Sequence, residues 1–258
     1  MTRSILLTGA SSGLGRALAL QHAGPGVALG LLGRDSARLG DTQREAEARG
    51  ARVQSAAIDV RDKAAMRDFL VDFDAATPID RLVASGGMTS VTPRAGEVED
   101  LDLAGTLFEV NLGGLMNTLA PIAPRMRARR SGQIALFSSI AAIATPPDSP
   151  SYAASKAAVL AFGLATRALY RADGVSVSVV CPGFVDTPMT ASYLSWKPML
   201  MSPEEAARRI CRGLDRQKAV IAFPLPIYWG ARLQSLLPDP LRAALMLRFR
   251  AFASGEPG

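Results

Sequence analysis

The sequence predicts an α/β fold in which a doubly wound parallel β-sheet is flanked by helices on both faces of a single domain. Short aliphatic and β-branched runs alternate with longer stretches of helical periodicity, which is typical of successive βαβ units. The 258 residues suit one large α/β domain, and no internal repeat, low-complexity tract or Ser/Gly-rich linker divides the chain.

The β-strands are predicted where short apolar runs end in turn-forming residues. Six strands and a terminal or edge strand are expected at Ser4–Leu7, Val27–Leu32, Val53–Ile58, Arg81–Ala84, Gln133–Phe137, Ser176–Cys181 and Ala219–Phe223. The helices are predicted between them, at residues 13–23, 35–49, 62–76, 98–130, 151–172 and 203–217. Residues 186–202 interrupt the alternation and are predicted to form a long loop at the carboxyl edge of the sheet, where ligands bind in this architecture.

The composition narrows the possible functions. Cys181, Cys211 and the single histidine, His22, provide neither a Cys/His zinc set nor a second histidine for a Ser-His-Asp triad, so we expect no metal site. Met1-Thr2-Arg3 leads directly into an apolar strand without a secretory signal. No stretch of about 18 uncharged apolar residues is present to span a bilayer. A cytoplasmic location is therefore predicted.

The net charge of +6 arises in the C-terminal fifth of the chain. Residues 208–258 carry nine basic and three acidic residues, whereas residues 1–207 carry equal numbers of each. A nucleic-acid-binding face usually brings lysine clusters with interleaved aromatic residues, and this chain has four lysines in total. We therefore expect no nucleic-acid partner.

A glycine-rich turn follows the first predicted strand. Glycines spaced as they are here, between a strand and a helix, allow a tight turn and bring backbone amides against a pyrophosphate. The helix N-terminus adds its positive dipole end. A glycine turn alone is weak evidence, because Gly is common wherever a strand meets a helix. Its position favours a dinucleotide site that includes Gly9, Ser11, Ser12, Gly13, Leu14 and Gly15.

The end of the second strand bears on the choice of dinucleotide. In an NAD site an acidic residue at this point binds the adenosine ribose, but here Gly33 replaces the acid and Arg34 follows. A planar, permanently charged guanidinium suits a 2′-phosphate. Arg34 could instead be a solvated surface residue, with Asp35 capping the next helix or binding the ribose itself. NADP(H) is predicted in preference to NAD(H).

The segment from Ser151 to Lys156 carries the strongest local signal for catalysis. Tyr152 and Lys156 are four residues apart and share one helix face. A phenol titrates near about pH 10, and a neighbouring ammonium favours the phenolate and brings the pKa toward the range of an acid–base catalyst. Ser139, at the end of the preceding strand, offers a hydroxyl to a substrate oxygen. Each feature alone is common, but their joint occurrence with the glycine turn indicates an active site.

Together these motifs resemble those of the single-domain short-chain dehydrogenases/reductases over about residues 1–223. Beyond the turn at 8–15, matching residues occur in the family's order and approximate spacing at Asp59, Val60, Asn111, Ser139, Tyr152, Lys156 and Cys181-Pro182-Gly183-Phe184-Val185-Asp186-Thr187. The resemblance implies a Rossmann-type fold and a catalytic domain at 1–223 with a substrate loop at about 186–202. It also implies an oxidoreductase that interconverts a carbonyl and a secondary alcohol, assembled as a homodimer or homotetramer.

The resemblance assigns roles to four catalytic residues. Tyr152 would pass a proton to or from the reacting oxygen, and Ser139 would hold that oxygen. Lys156 would bind the nicotinamide ribose and lower the pKa of Tyr152. Asn111 would support a water linked to Lys156. The hydride itself comes from the cofactor, so these residues position the substrate and transfer the proton.

The resemblance also implies further cofactor contacts. Asp59 would touch the adenine, and Val185 and Thr187 would meet the carboxamide. The other implied contacts are Val60, Ser85, Gly86, Pro182 and Gly183. The chain departs from the family after the fourth strand, where Ala84-Ser85-Gly86-Gly87 replaces the usual Asn-Asn-Ala-Gly. Ser85 keeps a hydrogen-bonding side chain and Gly86 stays small, so the backbone can still approach the cofactor.

Residues 224–258 are predicted to form an apolar and basic C-terminal extension. Asp239-Pro240 is predicted to begin a helix whose apolar stripe, at Leu241, Leu245, Phe249 and Phe252, is interrupted by Arg248. Three uses compete for this segment. They are packing on the protein's own pocket or on a sister subunit, peripheral contact with an anionic membrane surface, and a disordered tail.

The substrate is predicted only as a class. The loop at 186–202 is rich in bulky apolar residues, which favours an apolar carbonyl or alcohol as substrate. Alternatively, these side chains only pack the loop against the domain. Two other functions remain open: a dinucleotide-binding regulatory or scaffold protein, and an isomerase or dehydratase of the same family. Retention of Asn111, Ser139, Tyr152 and Lys156 together argues against a regulator, since binding alone needs no tyrosine acid.

Overall fold

The computed structural model describes residues 3–90, 99–191 and 197–253, with side chains described up to residue 247. The described strands are β1 (Arg3–Thr8), β2 (Val27–Gly33), β3 (Arg52–Ala57), β4 (Arg81–Ala84), β5 (Gly132–Phe137), β6 (Val175–Pro182) and β7 (Val220–Phe223). The described α-helices are α1 (Gly13–His22), α2 (Ser36–Ala48), α3 (Lys63–Ala76), α4 (Leu101–Phe108), α5 (Gly114–Leu119), α6 (Ala123–Ala128), α7 (Ala141–Ala144), α8 (Pro150–Tyr170), α9 (Pro188–Ala191), α10 (Pro203–Asp215), α11 (Leu225–Gln234) and α12 (Asp239–Ala253).

The strands form one parallel sheet in the order β3-β2-β1-β4-β5-β6-β7. Ile5 of β1 pairs with Leu29 of β2 on one side and with Arg81 of β4 on the other. The chain order therefore reverses between β1 and β4, which opens a crevice at their carboxyl ends. The predicted fold class is confirmed, and β7 is an edge strand as expected.

Aliphatic side chains on both faces of the sheet form the core. On one face α1, α2 and α10 bury residues such as Leu18, Leu39 and Ile210. On the other face α3, α5, α6 and α8 bury residues such as Leu70 and Val159. Strands covered on both faces need to be apolar almost throughout, and β1 is buried from its second residue to its last.

The predicted continuous helix at 98–130 is wrong. α4 runs into a π-helical turn at Glu109–Gly113, after which α5 and α6 follow as separate helices. A Cβ on Gly114 would overlap Val60 Cγ2, so the backbone at Gly114 packs directly against the side chain of Val60. Pro121, between α5 and α6, has no amide hydrogen to continue a helix. Residue 98, the start of the predicted helix, lies outside the described residues.

The predicted loop at 186–202 contains the short helix α9, and its two ends are joined by a bridge between Val185 and Met201. Of the apolar residues predicted to shape the substrate site, Tyr193, Leu194 and Trp196 lie outside the described residues. No helix in the described ranges is long and apolar enough to cross a membrane.

The C-terminal extension begins as a helix that packs on the domain. In α11, Ala231 is buried against α7, and Gln234 Nε2 donates to the carbonyl of Ala144 at 3.0 Å. α12 follows, with a cavity of about 530 Å³ lined by Thr145, Asp239, Pro240, Arg242, Ala243 and Met246. α11 therefore packs on the domain through α7, and the three predicted uses of the extension stay predictions.

Candidate active site

The glycine turn joins β1 to α1 with its backbone exposed to the crevice between β1 and β4. Gly9 (φ +71°) and Gly13 (φ +51°) adopt the left-handed region that disfavours other residues. A Cβ on Gly15 would overlap the carbonyl oxygen of Gly9. Ser12, the N-cap of α1, makes no capping hydrogen bond through its side chain to any described residue. The first amides of α1 are therefore left for an anion, while Leu14 packs against the core.

The turn is in close contact with two other predicted cofactor segments. A Cβ on Gly13 would lie 3.1 Å from the side chain of Thr187, and one on Gly9 would lie 3.0 Å from the backbone of Gly86. Ser85 Oγ donates to the carbonyl of Thr8 at 2.5 Å, and the Gly86 amide donates to Thr8 Oγ1 at 3.0 Å. The departure at residues 84–87 therefore retains hydrogen bonds between β4 and the turn.

A side chain at the expected acidic position, residue 33, would be packed tightly against Ser11. A Cβ on Gly33 would lie 3.0 Å from Ser11 Cβ and Oγ. Asp35 is occupied as the N-cap of α2, accepting from the Arg38 amide at 2.9 Å and from Arg38 Nε at 2.7 Å. Arg34 is exposed and forms no ion pair with any described residue. Of the two readings of this strand end, the guanidinium of Arg34 is the group left for a ligand.

Asp59 and Val60 follow β3 beside the same crevice. Asp59 accepts from Arg61 Nε at 3.1 Å and Nη2 at 2.9 Å, and this hydrogen bonding holds the pKa of its carboxyl below the ordinary value. A Cβ on Gly86 would lie 3.2 Å from Val60 Cγ1. Val60 therefore borders the crevice, whereas the carboxylate of Asp59 is engaged by its neighbour.

Asn111 lies buried in the π-helical turn between α4 and α5, a feature that often marks functional sites. Its Oδ1 accepts from the Met88 amide at 2.9 Å, and its Nδ2 donates to the Met88 carbonyl and to Ser155 Oγ, each at 3.0 Å. Ser155 Oγ donates in turn to the carbonyl of Tyr152 at 2.8 Å. Asn111 thus links β4 to the first turns of α8.

Lys156 is buried beneath the tyrosine. Its Nζ donates to the carbonyl of Phe137 at 3.0 Å and lies 5.6 Å from the ring centroid of Tyr152. Burial lowers the pKa of this ammonium to about 8. Ser138 Oγ donates to the Lys156 carbonyl at 2.7 Å, which fixes α8 against the end of β5. Tyr152 itself is half-buried and shares a helix face with the cation, as the spacing predicts.

Ser139 follows β5 and is held by the strand next to it. Its Oγ accepts from the Ala141 amide at 3.1 Å and donates to the Pro182 carbonyl at 3.4 Å. The Gly183 amide donates to Phe223 at 2.7 Å, so the turn after β6 is tied to the edge strand. Ser139 and the Pro-Gly turn therefore lie side by side at the carboxyl end of the sheet.

Some supporting residues were missed at the sequence level. Ser155 lies inside the segment that carries Tyr152 and Lys156, and its position three residues after Tyr152 could have indicated a bond to that carbonyl. A Cβ on Gly87 would lie 3.1 Å from Asn111 Oδ1, so Gly87 leaves room for the amide. Glu99 accepts hydrogen bonds from Ser151, but no local pattern connects residues so far apart in the chain.

The titratable residues outside this region offer no metal centre. Within residues 3–90, 99–191 and 197–253, no group of three His, Cys, Asp or Glu residues could hold a metal ion. His22 is the last residue of α1, and its Nε2 lies 3.6 Å from Cys211 Sγ. Burial, aided by the charge of Arg81, lowers the pKa of His22 to about 3. Burial also raises the pKa of the Cys181 thiol to about 11.

The sequence model of short chain dehydrogenases matches residues 3–198, well over half of the chain. The chain belongs to the short-chain dehydrogenase family. An uncharacterized oxidoreductase of Myxococcus xanthus is 33% identical over 249 residues, which cover 96% of this short-chain dehydrogenase and 98% of the relative. Sulfoacetaldehyde reductase 2 of Chromohalobacter salexigens is 34% identical over 194 residues, which cover 74% and 75% of the two chains.

Solved structures of the family agree with this assignment. A short chain dehydrogenase from Mycobacterium paratuberculosis bound to NAD matches with a TM-score of 0.74 at 27% identity, covering 86% of this chain and 94% of that one. This short-chain dehydrogenase is therefore an oxidoreductase, and the similarity supports a nicotinamide cofactor.

Proposed function

We propose that the protein is an NADP(H)-dependent oxidoreductase that interconverts a carbonyl and a secondary alcohol on an apolar small molecule, with Tyr152 as the general acid and base. The observation that carries the proposal is the position of the Lys156 ammonium, 5.6 Å from the ring centroid of Tyr152. Asn111 supports this arrangement by binding Ser155, which donates to the backbone carbonyl of Tyr152. A cation near a phenol favours the phenolate, so this arrangement suits proton transfer.

The residues present fit a dinucleotide cofactor. Backbone rather than side chains lines the turn between β1 and α1, because the close approaches at Gly9, Gly13 and Gly15 leave no space for a Cβ. The amides at the start of α1 would hold the pyrophosphate. When bound, NADP(H) supplies or accepts the hydride. Gly86 and Thr187 lie against the glycine turn and Val60 lies against Gly86. Together with Pro182, Gly183 and Val185 they would position the two ends of the cofactor.

The chain's own residues would then handle the proton. In carbonyl reduction Tyr152 would donate its phenolic proton to the substrate oxygen, while Ser139 Oγ would donate a hydrogen bond to that oxygen. Lys156 would stabilise the phenolate left on Tyr152. Oxidation of the alcohol would use the same groups in reverse, with Tyr152 accepting the proton.

Arg34 supports NADP(H) over NAD(H). A side chain at position 33 would crowd Ser11, and Asp35 is engaged as a helix cap. The guanidinium of Arg34 is thus the group at this strand end that is left to meet a 2′-phosphate, which it would bind through charge-assisted hydrogen bonds.

An apolar substrate is supported by the surroundings of Ser139. α7 follows Ser139 and is covered by α11 through the apolar side chains of Ile227 and Tyr228. The open depression between Thr145 and α12 is lined by the charged Asp239 and Arg242 as well as by Ala243 and Met246.

Replacing Tyr152 with phenylalanine tests the proposed chemistry. Carbonyl compounds would first be screened with the unmodified protein by following NADPH absorbance. Tyr152→Phe removes only the phenolic hydroxyl and is expected to lower turnover by about 10²–10⁴-fold, the usual effect of losing a general acid. NADPH affinity, measured by fluorescence titration, should change little. Near-normal turnover in the variant would contradict the role of Tyr152.

A further inference from the structure

Glu99 makes a hydrogen-bonded contact with the residue that precedes the proposed catalytic tyrosine. Its Oε2 accepts from the Ser151 amide at 3.0 Å and from Ser151 Oγ at 2.6 Å. Its Oε1 accepts from Ser90 Oγ at 2.6 Å, and Ser90 is buried. Burial of the carboxyl would raise its pKa, but the hydrogen bonds from Ser151 and Ser90 outweigh burial and hold the pKa below its ordinary value.

The contact is made at the first turn of α8, where a helix lacks internal partners for its amides. The N-cap Ser149 forms no capping hydrogen bond through its side chain to any described residue, and Pro150 has no amide hydrogen. Ser151 is therefore the first residue of this turn with an amide to satisfy. A carboxylate is well suited to it because the N-terminus of a helix carries partial positive charge.

Tyr152 lies between two residues whose positions are held by hydrogen bonds from outside α8. On its N-terminal side Glu99 holds Ser151 through two hydrogen bonds, and on its C-terminal side Asn111 holds Ser155, which binds the carbonyl of Tyr152. Without Glu99 the first turn of α8 would be fixed from one side only. A proton donor misplaced by about 1 Å can lose about 10²-fold in rate.

We propose that Glu99 is a positioning residue that holds the first turn of α8 so that the hydroxyl of Tyr152 stays aligned with the reacting oxygen. The inference rests on the proposed function of Tyr152. Glu99 acts through Ser151 and takes no part in the proton transfer itself.

The test compares Glu99→Ala with a matched control in the adjacent residue. Asp100 is also an acidic helix cap, accepting from the amides of Asp102 and Leu103 at the start of α4, and within the described residues its side chain makes no hydrogen bond to α8. Asp100→Ala thus removes a similar group from the same stretch of chain. Because each variant loses one capping group, the two should lose similar stability in urea denaturation.

The proposal predicts a separation of kcat from binding. With a carbonyl substrate found by the NADPH screen, Glu99→Ala should lower kcat by about 10–100-fold. The KM for NADPH and its Kd should change by less than about threefold, because the glycine turn is untouched. Asp100→Ala should leave kcat within about threefold of the unmodified protein. Glu99→Gln, which keeps an acceptor for Ser151, should restore much of the lost kcat.

A double-mutant cycle shows whether Glu99 acts through Ser151. Ser151→Ala removes one of the two donors and should lower kcat in the unmodified background but add little in the Glu99→Ala background. Amide hydrogen exchange at residues 151–155 should be faster in Glu99→Ala than in Asp100→Ala, which reports the loosened turn without any turnover assay.

Other outcomes would overturn the proposal. Equal losses of kcat in Glu99→Ala and Asp100→Ala, additive effects with Ser151→Ala, or a loss of NADPH affinity that matches the loss of kcat would each show a purely structural role. Failure of the proposed function looks different, since the unmodified protein would then reduce no carbonyl or Tyr152→Phe would keep full activity.

Discussion

Arg34 is the residue on which the proposed preference for NADP(H) rests. Arg34→Asp removes a charge-assisted bond to a 2′-phosphate and adds like-charge repulsion, so preference should shift toward NAD(H) by about 10–100-fold, as expected for a loss of about 1.5–3 kcal/mol. Binding of both cofactors would be measured by titration. Arg67→Asp reverses an exposed charge on α3 and serves as the control. Tighter binding of NADH than NADPH by the unmodified protein would show that Arg34 does not govern the site.

Burial disfavours the charged form of Lys156 in the cofactor-free protein. Its pKa is lowered by burial from 10.5 to about 8 and returns to the ordinary value on unfolding. Below about pH 8 both states carry the ammonium, and the folded state bears the full cost of desolvation. Between about pH 8 and 10.5 the folded lysine is neutral while the unfolded lysine binds a proton, so this residue's destabilising effect fades as pH rises.

Lys156→Met should therefore stabilise the cofactor-free protein while abolishing activity. The free energy of unfolding at pH 7, from urea denaturation, is expected to rise by about 1–3 kcal/mol. The gain should shrink as the pH is raised toward 10.5. Lys63→Met, at an exposed position on α3, is the control and should show no comparable gain. A gain that is independent of pH would contradict the assignment of the effect to a buried charge.

At the scale of the element, the turn between β1 and α1 tolerates no side chain at its last glycine. Gly15→Ala places a Cβ onto the carbonyl oxygen of Gly9, so the turn must open and NADPH affinity should fall at least about tenfold. Gly40→Ala in α2 meets no described atom within 4 Å and should be neutral or stabilise by about 1 kcal/mol. Unchanged NADPH binding in Gly15→Ala would show that the cofactor does not depend on this turn.

The elements also show what a sequence can and cannot predict. The buried strands were predictable because aliphatic runs such as Ile5-Leu6-Leu7 are needed where both faces of a sheet are covered. The π-helical turn after Phe108 was not predictable, because the same residues could equally continue an α-helix, so apolar spacing does not reveal a single wider turn. The contact of Glu99 with Ser151 was not predictable either, because the two residues are far apart in the chain.

At the scale of the whole molecule, the C-terminal extension presents an exposed apolar surface. Leu225, Trp229, Leu233 and Leu236 are spaced four, four and three residues apart along α11 and its end, and each is more than half exposed. We propose that this surface and α12 mediate assembly as a homodimer or homotetramer, or peripheral contact with an anionic membrane. The extension is also basic in sequence, with Arg232, Arg242, Arg248 and Arg250, which suits an anionic surface.

Deleting residues 239–258 separates these outcomes. The truncated chain keeps α11, with its bonds from Gln234 to α7, and should still bind NADPH. Light scattering should show a smaller particle if the extension assembles subunits. Loss of binding to anionic vesicles would instead indicate membrane contact, which in the full chain should weaken with added salt because attraction fades over a Debye length of about 10 Å at 0.1 M. A truncated protein that is insoluble and fails to bind NADPH would refute the proposal.

The bond from the Gly183 amide to Phe223 has a consequence for the order of folding during synthesis. A polypeptide leaves the ribosome N-terminus first, so β1 to β4 and the glycine turn are available to fold early. The turn after β6 gains its partner only when β7 has emerged, and α7 gains its bond from Gln234 later still. The residues around Ser139 therefore gain their full set of hydrogen-bonded partners only after Phe223 and Gln234 have been synthesised.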